Sequence, residues 1–278
     1  MRVSVGDVRL FFDVEGSKLR PRGPSYDEMP TVVILHAGPG FDHAPYRESL
    51  GPALADVAQV VYVDQRGHGR SDRSAPDRWN LDTWSADVVE FCERLEIERP
   101  ILVGQGWGAM IAVLVAARHP ELPSRLVLAA PVARIVADRS VAMFERLGGP
   151  EAGEVAWRFY HEPTEHTVAE YLRVCFPLLS RTPRLPDTIL RVVWNFEALI
   201  HWQQTEAHTF DLRPEAARVR VPTLVIHGED DPQMPLVGGR ELVDAIPGAR
   251  LVTLPGARHA LFHDEPRAIQ AVRDYVRE

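Results

Sequence analysis

The 278-residue sequence predicts an α/β fold: a mostly parallel central sheet flanked by helices, with an inserted helical cap. Three observations predict it. Short β-branched runs alternate with helical patterns along both ends of the chain. That rhythm stops at Pro131 and returns at Pro222. The stretch between is helical in pattern and rich in aromatic residues. With 45% hydrophobic and 25% charged residues, the chain has ordinary globular composition and ample material for a large core.

The elements follow in order. Val3 to Glu15 alternates around Gly6-Asp7, a two-residue turn between two strand-like runs, and reads as a hairpin. Gly16 to Pro30 carries Pro, Gly and charge and reads as a surface loop. Thr31–Leu35, Gln59–Val63, Pro100–Val103 and Arg125–Leu128 are strand candidates. Leu81, Trp84, Val88, Phe91 and Leu95 recur at three- and four-residue spacing, one face of an amphipathic helix. Met110 to Ala117 is apolar all round, as expected of a helix buried beneath a sheet. From Val132 to Pro214 strand signals vanish, and four prolines fall between Pro163 and Pro186. Pro222–His227 and Ala249–Leu254 restore the sheet, and Ile269, Val272 and Val276 mark a last helix. The expected division is a core of 1–131 and 215–278 with a cap insertion of 132–214.

Composition excludes several function classes. The net charge of −8 speaks against a nucleic-acid or anionic-membrane surface. Met110 to Ala117 is far short of the roughly 20 apolar residues that span a bilayer. Met1-Arg2 is not followed by an apolar leader, and Cys92 and Cys175 form no C-x-x-C, so a reducing, cytoplasmic setting is expected. Lys18 is the single lysine, which disfavours Schiff-base chemistry. The histidines are scattered without metal-ligand spacing, so neither a metal nor a cofactor is expected.

Three segments at strand C-termini carry chemistry, where ligands bind in open α/β sheets. His36-Ala-Gly-Pro-Gly40 follows a strand with small residues that let backbone N–H groups approach an oxyanion, or it simply ends the strand. Gly104-Gln-Gly-Trp-Gly108 joins a strand to an apolar helix, with small residues two before and two after its centre. A G-x-S-x-G elbow has that pattern because its turn is too tight for bulk, but the centre here is Gly106. The G-x-G-x-x-G spacing of a dinucleotide site is absent. Gly228 to Pro235 and Gly256-Ala-Arg-His259 place Asp231 28 residues before His259, one helix and one strand apart. A carboxylate that orients an imidazole makes a general base, whereas Asp230 or Asp231 alone could cap the next helix.

Taken together these residues resemble the α/β-hydrolase superfamily, and within it the proline-iminopeptidase-like branch. His36-Ala-Gly-Pro-Gly40 is similar to that branch's H-G-G-P-G, and Val63-Asp-Gln-Arg-Gly-His-Gly-Arg-Ser71 to its D-Q-R-G-x-G-x-S. The elbow, His227-Gly-Glu-Asp-Asp-Pro232 and Gly256-Ala-Arg-His259 follow in the family's order. The resemblance implies Asp231 as triad acid and His259 as base, with Gly38 and Trp107 offering oxyanion-hole N–H groups and Gly106 in the nucleophile's place. It also implies acidic cap residues for a substrate's α-amino group, for which Glu162, Glu197 and Glu206 are candidates. Asp64, Gln65 and Arg66 are read as structural. His36, Gln105, Trp157, Tyr160, Trp194, Trp202 and Glu206 are candidate contacts to a small, apolar or aromatic substrate.

Glycine at 106 leaves three explanations. The chain is an inactivated serine hydrolase, acting on a peptide, ester, lactone or amide bond. Or His259 and Asp231 act without an acyl-enzyme, activating water or moving protons on a substrate in a lyase, isomerase or cyclase reaction. Or the scaffold has become a ligand-binding protein. The expected partner is a small molecule, with no nucleic acid and no membrane; oligomeric state is not legible.

Overall fold

The computed structural model describes residues 1–182 and 187–278. Pro183 and Pro186 of the proline-rich stretch lie outside the described residues.

Strands β1 (Arg2–Val5) and β2 (Val8–Glu15) form the expected hairpin, Val5 paired with Val8 across the Gly6-Asp7 turn. The stretch after Gly16 is not a plain loop. It folds as a second hairpin, β3 (Leu19–Arg22) with β4 (Ser25–Glu28), exposed throughout. Its run of charged and Pro residues hid the pairing, because nothing on it is buried to leave an alternating pattern.

The remaining strands are β5 (Thr31–Leu35), β6 (Gln59–Val63), β7 (Ile101–Gln105), β8 (Arg125–Ala129), β9 (Thr223–Gly228) and β10 (Arg250–Leu254). They join the first hairpin in an eight-stranded sheet of order β1-β2-β6-β5-β7-β8-β9-β10. Pairings from β6 through β10 are parallel, and the β1–β2 and β2–β6 pairings antiparallel. Alternate residues of each strand face opposite layers. Val33 and Leu35 join a core with Leu102 and Leu128, while Val32 and Ile34 join another with Val103 and Val127. Helices α2 (Leu81–Arg94) and α3 (Trp107–Arg118) cover the first face; α1 (Leu50–Leu54) and, after the short α10 (Leu261–Asp264), α11 (Pro266–Arg277) cover the second. Every residue of α3 from Trp107 to Ala117 is buried, which accounts for its lack of a polar face.

Between β8 and β9 the described elements are helical: α4 (Ala137–Gly148), α5 (Pro150–His161), α6 (Glu165–Val174), α7 (Phe196–Gln204) and α8 (Arg213–Ala216). Phe144, Phe159, Tyr160 and Tyr171 of this segment form a third core, separate from the other two. α9 (Leu236–Ala245) then leads from β9 to β10. The chain leaves β5 towards β6 on one side and returns to β7 on the other. The C-terminal ends of β5 and β7 therefore flank the switch point where open α/β sheets bind ligands.

Candidate active site

Four loops meet at those strand ends. The turn after β7 is built from backbone packed on backbone. A Cβ at Gly104 would run into the Gly108 carbonyl, and one at Gly108 into the carbonyls of Leu35 and His36. Only glycine fits either place. Gly106, between them, is different: it has φ +53° and ψ −114°, donates its N–H to Ala129 O at 2.9 Å, and heads α3. A Cβ built on it meets only the His259 ring within 4 Å, with Cε1 and Nε2 both at 3.3 Å.

His259 is held from behind. Its Nδ1–H donates to Asp231 Oδ2 at 2.8 Å, and Asp231 Oδ1 accepts the N–H groups of Gln233 (2.9 Å) and Met234 (2.8 Å). Asp231 is fully buried and His259 nearly so. With Nδ1 donating to the carboxylate, the neutral ring keeps its lone pair on Nε2, the atom facing Gly106. Asp230 instead pairs at the surface with Arg146 at 2.7 Å, and it is Asp231 that the His259 ring meets. His227 backs the dyad: its Nε2–H donates to Met234 O at 2.7 Å, and burial lowers its pKa despite the nearby Asp231 charge.

A hydrogen-bond chain ties three of the loops together. Ala37 N–H donates to Tyr46 Oη (2.9 Å), Tyr46 donates to Gln105 Oε1 (2.9 Å), and Gln105 Nε2 donates to the His259 carbonyl (2.8 Å). Gln105 thus fixes the backbone that carries the imidazole. Gly38 and Trp107 line the same cavity. Neither N–H has a hydrogen-bond acceptor among the described residues, and Trp107 occupies the first turn of α3, where the helix provides none.

The cavity above the dyad has a volume of about 450 Å³. Phe159 of α5, Leu172 of α6, Leu199 of α7, Trp194 and Phe262 give it a mostly apolar wall. The polar exceptions include Gln105, Tyr46 and the pair Gln233 and Tyr171, in which the phenol donates to Gln233 Oε1. Burial holds the Tyr171 phenol far above its ordinary pKa, so it stays a donor. Glu48 is the sole carboxylate among the described lining residues, and it is ion-paired with Arg191. Among the described residues, no group of three or more His, Cys, Asp or Glu could hold a metal ion, and no helix is long and apolar enough to cross a membrane.

Of the expected substrate contacts, Gln105 and Trp194 line the cavity. Five do not. His36 is buried behind its loop, Nδ1–H donating to Ala37 O (2.6 Å) and Nε2 accepting from Gln65 N–H (3.2 Å). Trp157 lies on the surface, stacked on His161. Tyr160 belongs to the helical segment's own core and donates to Gln233 O at 3.4 Å. Trp202 is buried against Trp84 and Phe210. Glu206 accepts the Leu81 N–H at 2.8 Å, beside the Asn80 cap at the start of α2. Glu162 and Glu197 are exposed and also off the cavity wall. Helical spacing marked the aromatic residues as buried or amphipathic but not which core they joined. Tyr46, Tyr171 and Gln233 carried no motif signal, since each acts through a partner distant in sequence.

The family profile described as alpha/beta hydrolase fold matches residues 30–266. A proline iminopeptidase of Clostridium botulinum is 30% identical over 256 residues, covering 84% of this chain and 85% of that protein. A putative carbamate hydrolase, RutD, of Pseudomonas syringae pv. syringae is 27% identical over 259 residues, covering 90% and 94%. The crystal structure of the enol-lactonase from Burkholderia xenovorans covers all of both chains, with a TM-score of 0.71 and 24% identity, a likeness of fold. With a profile match across most of its length and hydrolases as homologues, the chain belongs to the alpha/beta hydrolase family of enzymes.

Proposed function

We propose that the protein hydrolyses a small, uncharged, mostly apolar ester or lactone, and that His259 does so by activating water directly. One observation carries the reading: His259 Nε2, backed by Asp231, faces a Gly106 that has no side chain, with the missing Cβ position 3.3 Å away. In this mechanism Nε2 takes a proton from water as its oxygen attacks the substrate carbonyl. The N–H groups of Gly38 and Trp107 receive the developing oxyanion. Asp231 keeps the imidazole in the right tautomer and stabilises its protonated form. As the intermediate collapses, His259 returns the proton to the leaving alkoxide. No acyl-enzyme forms, so turnover is slow, since removing a triad nucleophile commonly costs about 10⁶ in kcat.

Helices α4 to α7 serve as the cap in this reading, their apolar wall excluding water from the far side of the substrate. The proline iminopeptidase relatives suggest substrates with a free amine. Against such a substrate, Glu48 is already neutralised by Arg191, while Glu162, Glu197 and Glu206 lie off the cavity. Phenyl butanoate turnover measured beside L-proline 4-nitroanilide tests the reading. Ester hydrolysis that His259→Ala reduces by about 10²–10⁴, with no anilide cleavage, is expected. Anilide cleavage, or ester turnover indifferent to His259→Ala, would contradict it.

A further inference from the structure

We infer that Gln233 recognises the substrate: its side-chain amide donates to a second oxygen, so the preferred ester or lactone carries a carbonyl or ether oxygen apart from the bond that is cut. The inference rests on the reading above in taking that ligand for the substrate. Three of the four polar groups of Gln233 are already engaged. Its backbone N–H donates to Asp231 Oδ1 at 2.9 Å, and its carbonyl accepts from Ser140 Oγ (3.1 Å) and Tyr160 Oη (3.4 Å). Its Oε1 accepts from the Tyr171 phenol. Nε2 carries two N–H donors, meets no acceptor among the described residues and is not enclosed by protein.

The phenol sets which way the amide points. Tyr171 is buried, and Gln233 Oε1 is the one acceptor that its O–H meets among the described residues. Turned over, the amide would offer Nε2 to the phenol and leave the phenol's proton buried without an acceptor, a cost that the observed orientation avoids. Tyr171 and Gln233 both line the cavity, so the free donor is available to what binds there. The other polar side chains of the described wall are occupied or peripheral. Tyr46 donates to Gln105, Gln105 to the His259 carbonyl, Ser49 to the Pro45 carbonyl and Ser180 to Asp264. Glu48 is ion-paired, and His263 is exposed, 3.8 Å from Asp264. In a mostly apolar cavity a few placed polar groups fix the ligand's orientation. An oxygen opposite Nε2 regains the hydrogen bond that it gave up on leaving water, whereas a methylene there leaves the donor unpaired.

The test measures binding without turnover, by titration calorimetry with aryl ketones that cannot be hydrolysed. Phenyl pentyl ketone is compared with 3-methoxypropyl phenyl ketone and 2-ethoxyethyl phenyl ketone, in which an ether oxygen replaces one chain methylene. In the same way 4-ethylphenyl pentyl ketone is compared with 4-methoxyphenyl pentyl ketone. Gln233→Met removes the donor and keeps the backbone N–H to Asp231. Gln233→Met combined with Tyr171→Phe also removes the phenol that the single variant leaves without an acceptor, and so preserves folding. In at least one pair the ether-over-hydrocarbon affinity ratio is expected to be about three- to tenfold higher in the unmodified protein than in either variant. Structural damage alone would weaken both members of a pair alike. A ratio that the variants leave unchanged in every pair, or no binding of any probe, overturns the inference and leaves the hydrolytic reading to the phenyl butanoate assay. A changed ratio without His259-dependent turnover of phenyl butanoate keeps the donor and overturns that reading instead.

Discussion

Gly106 and His259 face each other, and a Cβ on the glycine would lie 3.3 Å from both Cε1 and Nε2 of the imidazole. In the mechanism proposed above His259 is the base, and it is placed to reach a hydroxyl group at position 106, where this chain has none. Supplying one is the simplest perturbation. Gly106→Ser is expected to release phenol in a burst equal to the enzyme present, to carry an acyl adduct visible by intact mass, and to raise kcat by several powers of ten. The cost is strain, because φ +53° disfavours any side chain; about 1–3 kcal/mol of stability should be lost in urea unfolding. A serine variant with no burst and no adduct would mean that His259 is not poised as described.

Substitution of the neighbouring Gly108 should lose more stability, because its Cβ has no room. Gly108→Ala drives a methyl group into the Leu35 and His36 carbonyls, so a loss of about 3 kcal/mol or more, or failure to fold, is expected. Gly149→Ala is the control, since its Cβ meets nothing within 4 Å and only its φ of +80° is penalised. That variant should lose less, about 1–3 kcal/mol from backbone strain alone. Equal losses in the two would contradict the packing account of the turn.

Glu206 is assigned a structural part that a substrate carboxylate would not play. Burial raises its pKa, opposed by the bond from Leu81 N–H. Because the native carboxyl holds its proton to higher pH than the unfolded one, the stability that it contributes is present below the unfolded pKa and lost as pH rises through the native one. Glu206→Gln keeps an acceptor for Leu81 and removes the charge, so stability at pH 7 should be unchanged or higher. Glu206→Ala leaves the N–H unpaired and should lose about 1–2 kcal/mol. Ester turnover should stay within about twofold in the glutamine variant; its collapse there would return Glu206 to the substrate site.

Buried imidazoles predict an early acid transition. Burial lowers the pKa of His36, His68 and His227, and His68, also next to His36, is pushed down to about 3. An unfolded histidine binds a proton below about pH 6.5, whereas these native ones refuse it, so stability falls as pH drops from there. Each such group contributes a slope of about 1.4 kcal/mol per pH unit until its native pKa is reached. Asp64 acts in a separate, lower window. Burial alone would raise it, but hydrogen bonds from His43 and the Arg70 N–H help bring it to about 2, so its contribution is lost only as pH falls below the usual carboxylate range towards that value. Thermal unfolding should therefore shift downwards between pH 6.5 and 5, and His68→Asn should flatten the slope by about one proton. Stability that is level until pH 4 would contradict the neutral assignment.

Much of this arrangement was legible in the sequence because the core imposes strong patterns. The unbroken apolar run Val32–Leu35 and that of α3 follow from burial on both sides, and strand ends fell within two residues of expectation. Asp231, His259 and Gly106 were legible because each lies in a short motif after a strand. The cavity wall was not. Trp194 and Trp202 look alike in a helical, aromatic stretch, yet one faces the cavity and the other packs on Trp84. That difference depends on how α4 to α8 pack, which local spacing does not encode. Glu206 misled for the same reason: its partner, Leu81, is 125 residues away. The β3–β4 hairpin escaped because it buries nothing.

In the proposed mechanism His259, with Asp231 behind it, delivers water to a substrate carbonyl without a covalent intermediate. Rapid-mixing measurement of phenol release from phenyl butanoate by the unmodified protein tests it most directly. Linear release from the first turnover, abolished by His259→Ala, is expected. A burst stoichiometric with enzyme, or no turnover above the His259→Ala background, would contradict it.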